Sequence, residues 1–337
     1  MMKSRRILLW SLTTIIILTG AVFGVWRILC AATYEGEPCR IYIPSGATAA
    51  AVRDTLTANL GAYGAKVARL WELQDGDAAR SRGSYVAEPG MQALTLSRAI
   101  VRGSETPIRF TFNNMRTFGQ LAARAGSRFE ADSAAFAAAA DSVFGTAGYT
   151  PEQYAAAVLP DTYEFYWTAD PALVLQTMLN YRDDFWTESR RAAADSLGLT
   201  PVDVAVIASI VEEETNKTDE RGAVARLYIN RLQRDMPLQA DPTVKFALGD
   251  FGLRRITGSH LSVDSPYNTY RNEGLPPGPI RIAEASTLDA VLSAPVHNYL
   301  YMCARPDFSG YHDFAADYNR HRINAARYHR ALAARGL

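Results

Sequence analysis

The chain has 337 residues, 35 basic and 35 acidic, with 48% hydrophobic and 21% charged residues. That composition is ordinary for a globular protein and excludes a disordered chain, a collagen and a coiled coil. Zero net charge argues against broad electrostatic binding of nucleic acid, and the length suits two folded units.

Residues 1–6 carry Lys3, Arg5 and Arg6, and Ile7 to Trp26 then runs without a charge. As a helix that stretch spans the ~30 Å hydrocarbon core of a bilayer. Trp10 and Trp26 sit near its ends, where interfacial aromatics are favoured. The pattern predicts a transmembrane helix over 7–28, with a cytoplasmic tail before it and the rest of the chain on the other side. A cleaved signal peptide has an apolar region of only ~7–15 residues. Arg27, Ile28 and Leu29 before Cys30 are not the small residues of a lipoprotein site. Cys30, Cys39 and Cys303 form no disulfide framework. A Cys39–Cys303 bridge and three free thiols both stay open.

Strand, turn and helix then alternate. Ile41 and Ile43 alternate with polar residues, Pro44-Ser-Gly46 turns, and Thr48 can cap a helix over 49–60. The same unit recurs as a strand at 83–88 with a helix at 94–100, and as a strand at 108–112 with a helix from 117 to 125. Residues 129–166 read as largely helical with a break at 145–151, and 171–194 as one long amphipathic helix capped by Asp170. Asp203 to Thr215 is an apolar helix ending in Glu212, Glu213 and Glu214. Thr218 can cap the next helix, 236–244 reads as a loop, and 265–270 and 274–279 as rigid turns. Strands are expected at 300–304 and near 314, and a basic helix over 319–335.

Glu214 follows Ile207 by seven residues and Val211 by three, so it projects from the apolar stripe. A carboxyl so placed loses solvation, which raises its pKa toward that of a general acid. The alternative is a helix-end glutamate paired with Arg221 or Arg231. Glu212 lies about 200° round the helix from Glu214, so the two cannot flank one glycosidic bond. Asp161, Asp241 and Asp264 are further carboxylates in Pro-containing loops. His312 either lines a site or is structural. The chain has no HExxH, no phosphate-binding loop and no GxSxG elbow.

The run Ala208-Ser-Ile-Val-Glu-Glu-Glu-Thr215, with Glu220-Arg221, Asn230-Arg-Leu232 and Leu238-Gln-Ala-Asp-Pro-Thr-Val244, resembles the YceG-like family of endolytic murein transglycosylases. The likeness extends through Leu159-Pro-Asp-Thr-Tyr163, Ser265-Pro-Tyr-Asn-Thr-Tyr270, Gly274-Leu-Pro-Pro-Gly-Pro-Ile280, Tyr299-Leu-Tyr301 and Gly310-Tyr-His-Asp-Phe314. It implies that Glu214 is catalytic, as the second acid of a Glu-Lys-Glu-Thr motif in which Glu213 here replaces Lys. An acid at 213 would tend to raise the pKa of Glu214 further. The implied reaction cuts the bond between N-acetylmuramic acid and N-acetylglucosamine. Glu214 protonates the glycosidic oxygen, then takes the proton of the muramic C6 hydroxyl, leaving a 1,6-anhydro end. Gln239, Asp241, Tyr267, Asn268 and Tyr270 are candidate substrate contacts. No metal and no cofactor is implied.

The expected fold is α+β: a tail at 1–6, a transmembrane helix at 7–28, LysM-like glycan-binding module(s) over 36–125 and a YceG-like catalytic domain over 126–337. The expected location is a bacterial inner membrane, facing outward. The expected partners are glycan strands and peptidoglycan synthases. The rival readings are an anchored, inactive glycan-binding protein, and a muramidase that uses water and Asp161 or Asp241.

Overall fold

The computed structural model describes residues 2–253 and 256–336. The chain is α+β and divides into two compact units. One comprises Met1–Phe110, Arg128–Ala131 and Glu164–Ala169; the other comprises Thr111–Ser127, Asp132–Tyr163 and Asp170–Leu337. Among the described residues the strands form three two-stranded sheets.

The first unit opens with helix α1 (Met2–Cys30). The side chains of residues 1–9, 11, 12, 28 and 29 lie outside the described residues, and with them much of the predicted tail and membrane span. Among the described residues no single helix is long and apolar enough to cross a membrane, and Thr13–Arg27 is a shorter apolar helix. Strand β1 (Cys39–Ile43) pairs antiparallel with β2 (Gly83–Ala87), Cys39 opposite Ala87 and Ile43 opposite Gly83. Alternation puts Ile41 and Ile43 inside and Tyr42 outside. Between the strands lies α2 (Ala49–Leu73), capped by Thr48, whose Oγ1 accepts the amide of Ala51. The predicted helix over 49–60 is its first half. At Gly61 the backbone turns to φ 56°, ψ −135°, and a second helical half follows. Together with α3 (Ala93–Arg102), these halves close a core round Val52, Leu56, Trp71, Tyr85, Leu96 and Ile100. The buried Trp71 indole donates to Ser81 Oγ at 2.8 Å, so its one polar atom is satisfied. Cys30, Cys39 and Cys303 are all free thiols.

Strand β3 (Ile108–Thr111) pairs with β4 (Thr162–Phe165), which comes from a stretch expected to be helical. Tyr163 and Phe165 are buried on alternate positions, the period of a strand. The helices α4 (Phe118–Gly126) and α5 (Ser133–Val143) lie between these strands in sequence.

The second unit is built round an apolar helix. The long helix expected over 171–194 is two, α6 (Pro171–Phe185) and α7 (Glu188–Ser196). The chain breaks because Trp186 is buried and Thr187 caps α7 by accepting the amide of Arg190 at 3.3 Å. Then α8 (Pro201–Glu214) opens with a capping box between Thr200 and Asp203. Every residue from Val204 to Glu212 is buried, so α8 is enclosed on all sides. Its one hydroxyl, on Ser209, accepts the amide of Ile280 at 3.0 Å and so holds the 274–280 segment. In that segment a Cβ at Gly278 would lie 1.9 Å from the Glu152 carbonyl, which explains the glycine.

Helix α9 (Arg221–Leu232) starts after Glu220 without a side-chain cap, so Thr218 does not serve there. The expected loop over 236–244 becomes helical at α10 (Asp241–Leu248), with Pro242 in its first turn. Helix α11 (Ala285–Leu292) packs on α8 and α9. Antiparallel β5 (Tyr301–Ala304) and β6 (His312–Ala315) place His312 opposite Ala304. Helix α12 (Tyr318–Ala334), capped by Asp317, ends the described chain.

The φ/ψ pair at Gly61 is open to glycine and strongly disfavoured for other residues, although the space beside it is empty. Gly61→Ala is therefore expected to cost about 1–3 kcal/mol, read as a lower thermal midpoint of the full chain.

Candidate active site

The three acids that end α8 meet three different environments. Glu212 is buried at 5% exposure; its Oε1 accepts the amide of Glu284 at 2.8 Å, and its Oε2 lies 2.9 Å from Arg281 Nε. That second contact is an ion pair without hydrogen-bond alignment. Glu213 takes Arg281 Nη1 on Oε1 at 2.9 Å and Arg116 Nη1 on Oε2 at 2.9 Å. One guanidinium thus serves two neighbouring carboxylates.

Glu214 has neither of its expected arginine partners. Arg221 bonds Glu284 and Thr287 instead. Arg231 donates to the carbonyls of Leu300, Pro237 and Leu238 and to Gln239 Oε1, tying the start of β5 to the approach to α10. Glu214 instead opens on a cavity of about 260 Å³. The hydroxyl of Tyr228, one helix away on α9, donates to its Oε1 at 2.8 Å. Loss of solvation pushes the Glu214 carboxyl up to about 7. The Tyr228 hydrogen bond opposes the rise, Asp241 adds to it, and His312 and Lys245 oppose it. Glu213 is not among these influences. The expectation that an acid at 213 would raise Glu214 further gives way to a carboxylate held by two arginines.

The structure brings Gln239, Asp241 and Tyr270 to the same cavity. Tyr270 donates to Asp241 Oδ1 at 2.5 Å. Gln239 stands in the left-handed region at φ 52°, a strained position for a non-glycine residue at the cavity wall. Tyr267 and Asn268 do not line it. Asn268 is buried and donates to the carbonyls of Leu261 and Val263 while its Oδ1 accepts the amide of Tyr270. It pins the loop that presents Tyr270. Tyr267 packs on Phe246 with ring centroids 4.7 Å apart. Of the other acids, Asp161 accepts the Tyr181 hydroxyl away from this cavity, and Asp264 is fully exposed near Arg271.

Tyr228, Arg231, His312 and Cys303 also line the cavity; of these the sequence offered His312 as a residue that lines a site or is structural, and Arg231 only as a partner for Glu214. Tyr228 lies on the buried face of α9. The available signal was that a buried tyrosine needs a partner for its hydroxyl.

A sequence profile described as the YceG-like family matches residues 41–327. The endolytic murein transglycosylase of Bacillus subtilis (strain 168) is 34% identical over 151 residues, which are 44% of this chain and 41% of that protein. The endolytic murein transglycosylase of Streptococcus pneumoniae serotype 2 is 41% identical over 103 residues, 29% of this chain and 18% of that protein. The matches therefore span less than half of these curated relatives. A crystal structure of a yceG-like protein from Listeria monocytogenes superposes with a TM-score of 0.56 at 24% identity, over 85% of this chain and 98% of that one. It shares the fold.

Two outcomes follow from this geometry. Arg281→Met leaves Glu212 buried without its counter-charge and is expected to cost about 3–5 kcal/mol, measured by thermal or denaturant unfolding. The second concerns pH. The Glu214 carboxyl sits near 7 when folded and near its ordinary 4.5 when unfolded. Between those values the folded chain binds the extra proton, so this group's contribution to stability is greatest below about 4.5 and is lost as pH rises through 7. Glu214→Gln removes that loss. Its thermal midpoint relative to the parent should rise between pH 5 and pH 8.

Proposed function

Because the chain belongs to the YceG-like family, we propose that it is a peptidoglycan lytic transglycosylase that cuts glycan strands internally. The observation that carries this reading is Glu214: a carboxyl at the end of an enclosed apolar helix, free of arginine, held near 7 and facing a cavity. Such a group keeps its proton near neutral pH and can deliver it. Tyr228 donates to Oε1, so in the protonated acid Oε2 is the oxygen that carries the hydrogen. Glu214 gives this proton to the glycosidic oxygen between N-acetylmuramic acid and N-acetylglucosamine. The C6 hydroxyl of the muramic residue closes on C1, and no water is consumed. The family resemblance assigns the hydroxyl's proton to the same carboxylate.

The reading extends to the rest of the chain. Among the described side chains of α1, Ile15, Ile16, Ile17, Val22 and Phe23 are more than half exposed, a surface suited to lipid. We take α1 as a single-pass inner-membrane anchor, with the β1–α2–β2 and α3 unit as a LysM-like module on the outer side. The substrates are nascent glycan strands, and the synthases that extend them are the expected partners.

Asp241 favours one rival. It is a second carboxylate in the cavity, as a water-using muramidase needs. Product ends separate the two. On uncrosslinked glycan strands, mass spectrometry should find internal fragments ending in 1,6-anhydro-muramic acid. These should fall by at least about 10²-fold with Glu214→Gln. Reducing ends, heavier by one water, would sink the lyase reading. A second expectation is a pH effect. Tyr228→Phe removes the hydrogen bond that holds Glu214 down, so the alkaline fall in kcat should move to higher pH.

A further inference from the structure

The family resemblance returns the C6 hydroxyl proton to the Glu214 carboxylate, but the cavity also holds a second group built to accept it in that carboxylate's place. Resting on the transglycosylase reading, we infer that His312, oriented by Glu220, is a second catalytic residue whose Nε2 takes that proton.

The geometry is that of an oriented imidazole. His312 Nδ1 lies 2.8 Å from Glu220 Oε2, and the His312 amide donates to Glu220 Oε1 at 2.8 Å. Thr215 Oγ1 donates to Oε2 at 3.1 Å. Three donors converge on a carboxyl that is 6% exposed, so Glu220 serves as the acceptor and Nδ1 carries the hydrogen. In the neutral ring the lone pair is then on Nε2. Among the described residues nothing hydrogen-bonds Nε2, and the ring lines the same cavity as Glu214. The arrangement is a carboxylate fixing the tautomer of an imidazole that faces a hydroxyl substrate.

Chain connectivity ties the pair to the acid. Thr215 directly follows Glu214, and its Oγ1 also accepts the amide of Lys217 at 3.0 Å. The end of α8 therefore positions Glu214 and, through Thr215, the carboxylate behind His312. This gives a role to Thr215, Glu220 and His312, which belong to motifs that the acid alone leaves unexplained.

The step balances. Glu214 transfers its proton to the glycosidic oxygen as the C1–O bond breaks. The C6 oxygen forms its bond to C1 with the electron pair of its O–H bond, and the proton passes to Nε2. The products are the anhydro end, a new hydroxyl on the departing N-acetylglucosamine, a Glu214 carboxylate and an imidazolium. One proton transfer from His312 to Glu214, direct or through solvent, restores both groups.

The test uses the full chain on uncrosslinked glycan strands. His312→Ala is expected to lower kcat by about 10²–10⁴-fold with KM within about threefold. Added imidazole should restore part of the rate. His312→Gln, which keeps a polar group beside Glu220, should show the same loss, and Glu220→Gln a smaller one, again in kcat. A His312→Ala or His312→Gln variant that retains kcat within threefold overturns the inference, as does a folded His312→Ala variant that imidazole cannot rescue. These failures differ from failure of the underlying reading, in which the parent itself yields no anhydro ends.

Discussion

The candidate site depends on how three adjacent carboxylates are accommodated at the end of one apolar helix. Three like charges at consecutive positions repel one another, and two of them are taken out of contention by Arg281, which reaches Glu212 and Glu213 together, with Arg116 completing the second pair. Among the described residues Glu214 forms no ion pair and is left in an enclosed place. Its high pKa is the consequence of that division of labour, since burial favours the neutral acid unless an opposite charge intervenes.

The same economy governs the walls of the cavity. Arg231 is buried among carbonyls and spends its donors on the backbone, so it shapes the cavity without neutralising the acid. Asn268 is spent on the loop that carries Tyr270. Among the described residues, Tyr228 is the hydroxyl that bonds Glu214 directly. Apolar enclosure sets the direction of the shift and a single hydrogen bond moderates it. The lining is completed by Gln239, just before α10, by Asp241 at its start, by Tyr270 from a turn segment and by His312 on β6.

Glu213 shows how a departure from a motif is absorbed. Replacing a lysine by a glutamate reverses a charge beside the proposed acid. The structure answers with two guanidiniums, so the reversed charge is met within the protein instead of by Glu214.

Periodicity made much of this chain legible. The exit of Glu214 from the Ile207–Val211 stripe, the alternation in β1, and the caps at Thr48 and Asp170 are local properties, decided within a turn or two of the residue concerned. Ordered motifs carried the family. What failed was decided at longer range. The stretch at 162–165 became a strand because β3 was there to pair with it, and the helix expected over 171–194 broke where Trp186 found a core. Whether a tyrosine on an apolar face, an arginine on the next turn or a histidine near the C-terminus joins a site is also a tertiary matter. Tyr228, Arg231 and His312 are 14, 17 and 98 residues from Glu214 in sequence. Sequence alone could say that Glu214 would lose water; only the fold could say which groups replace it, because solvation is lost by local burial while hydrogen-bond partners are supplied from distant segments.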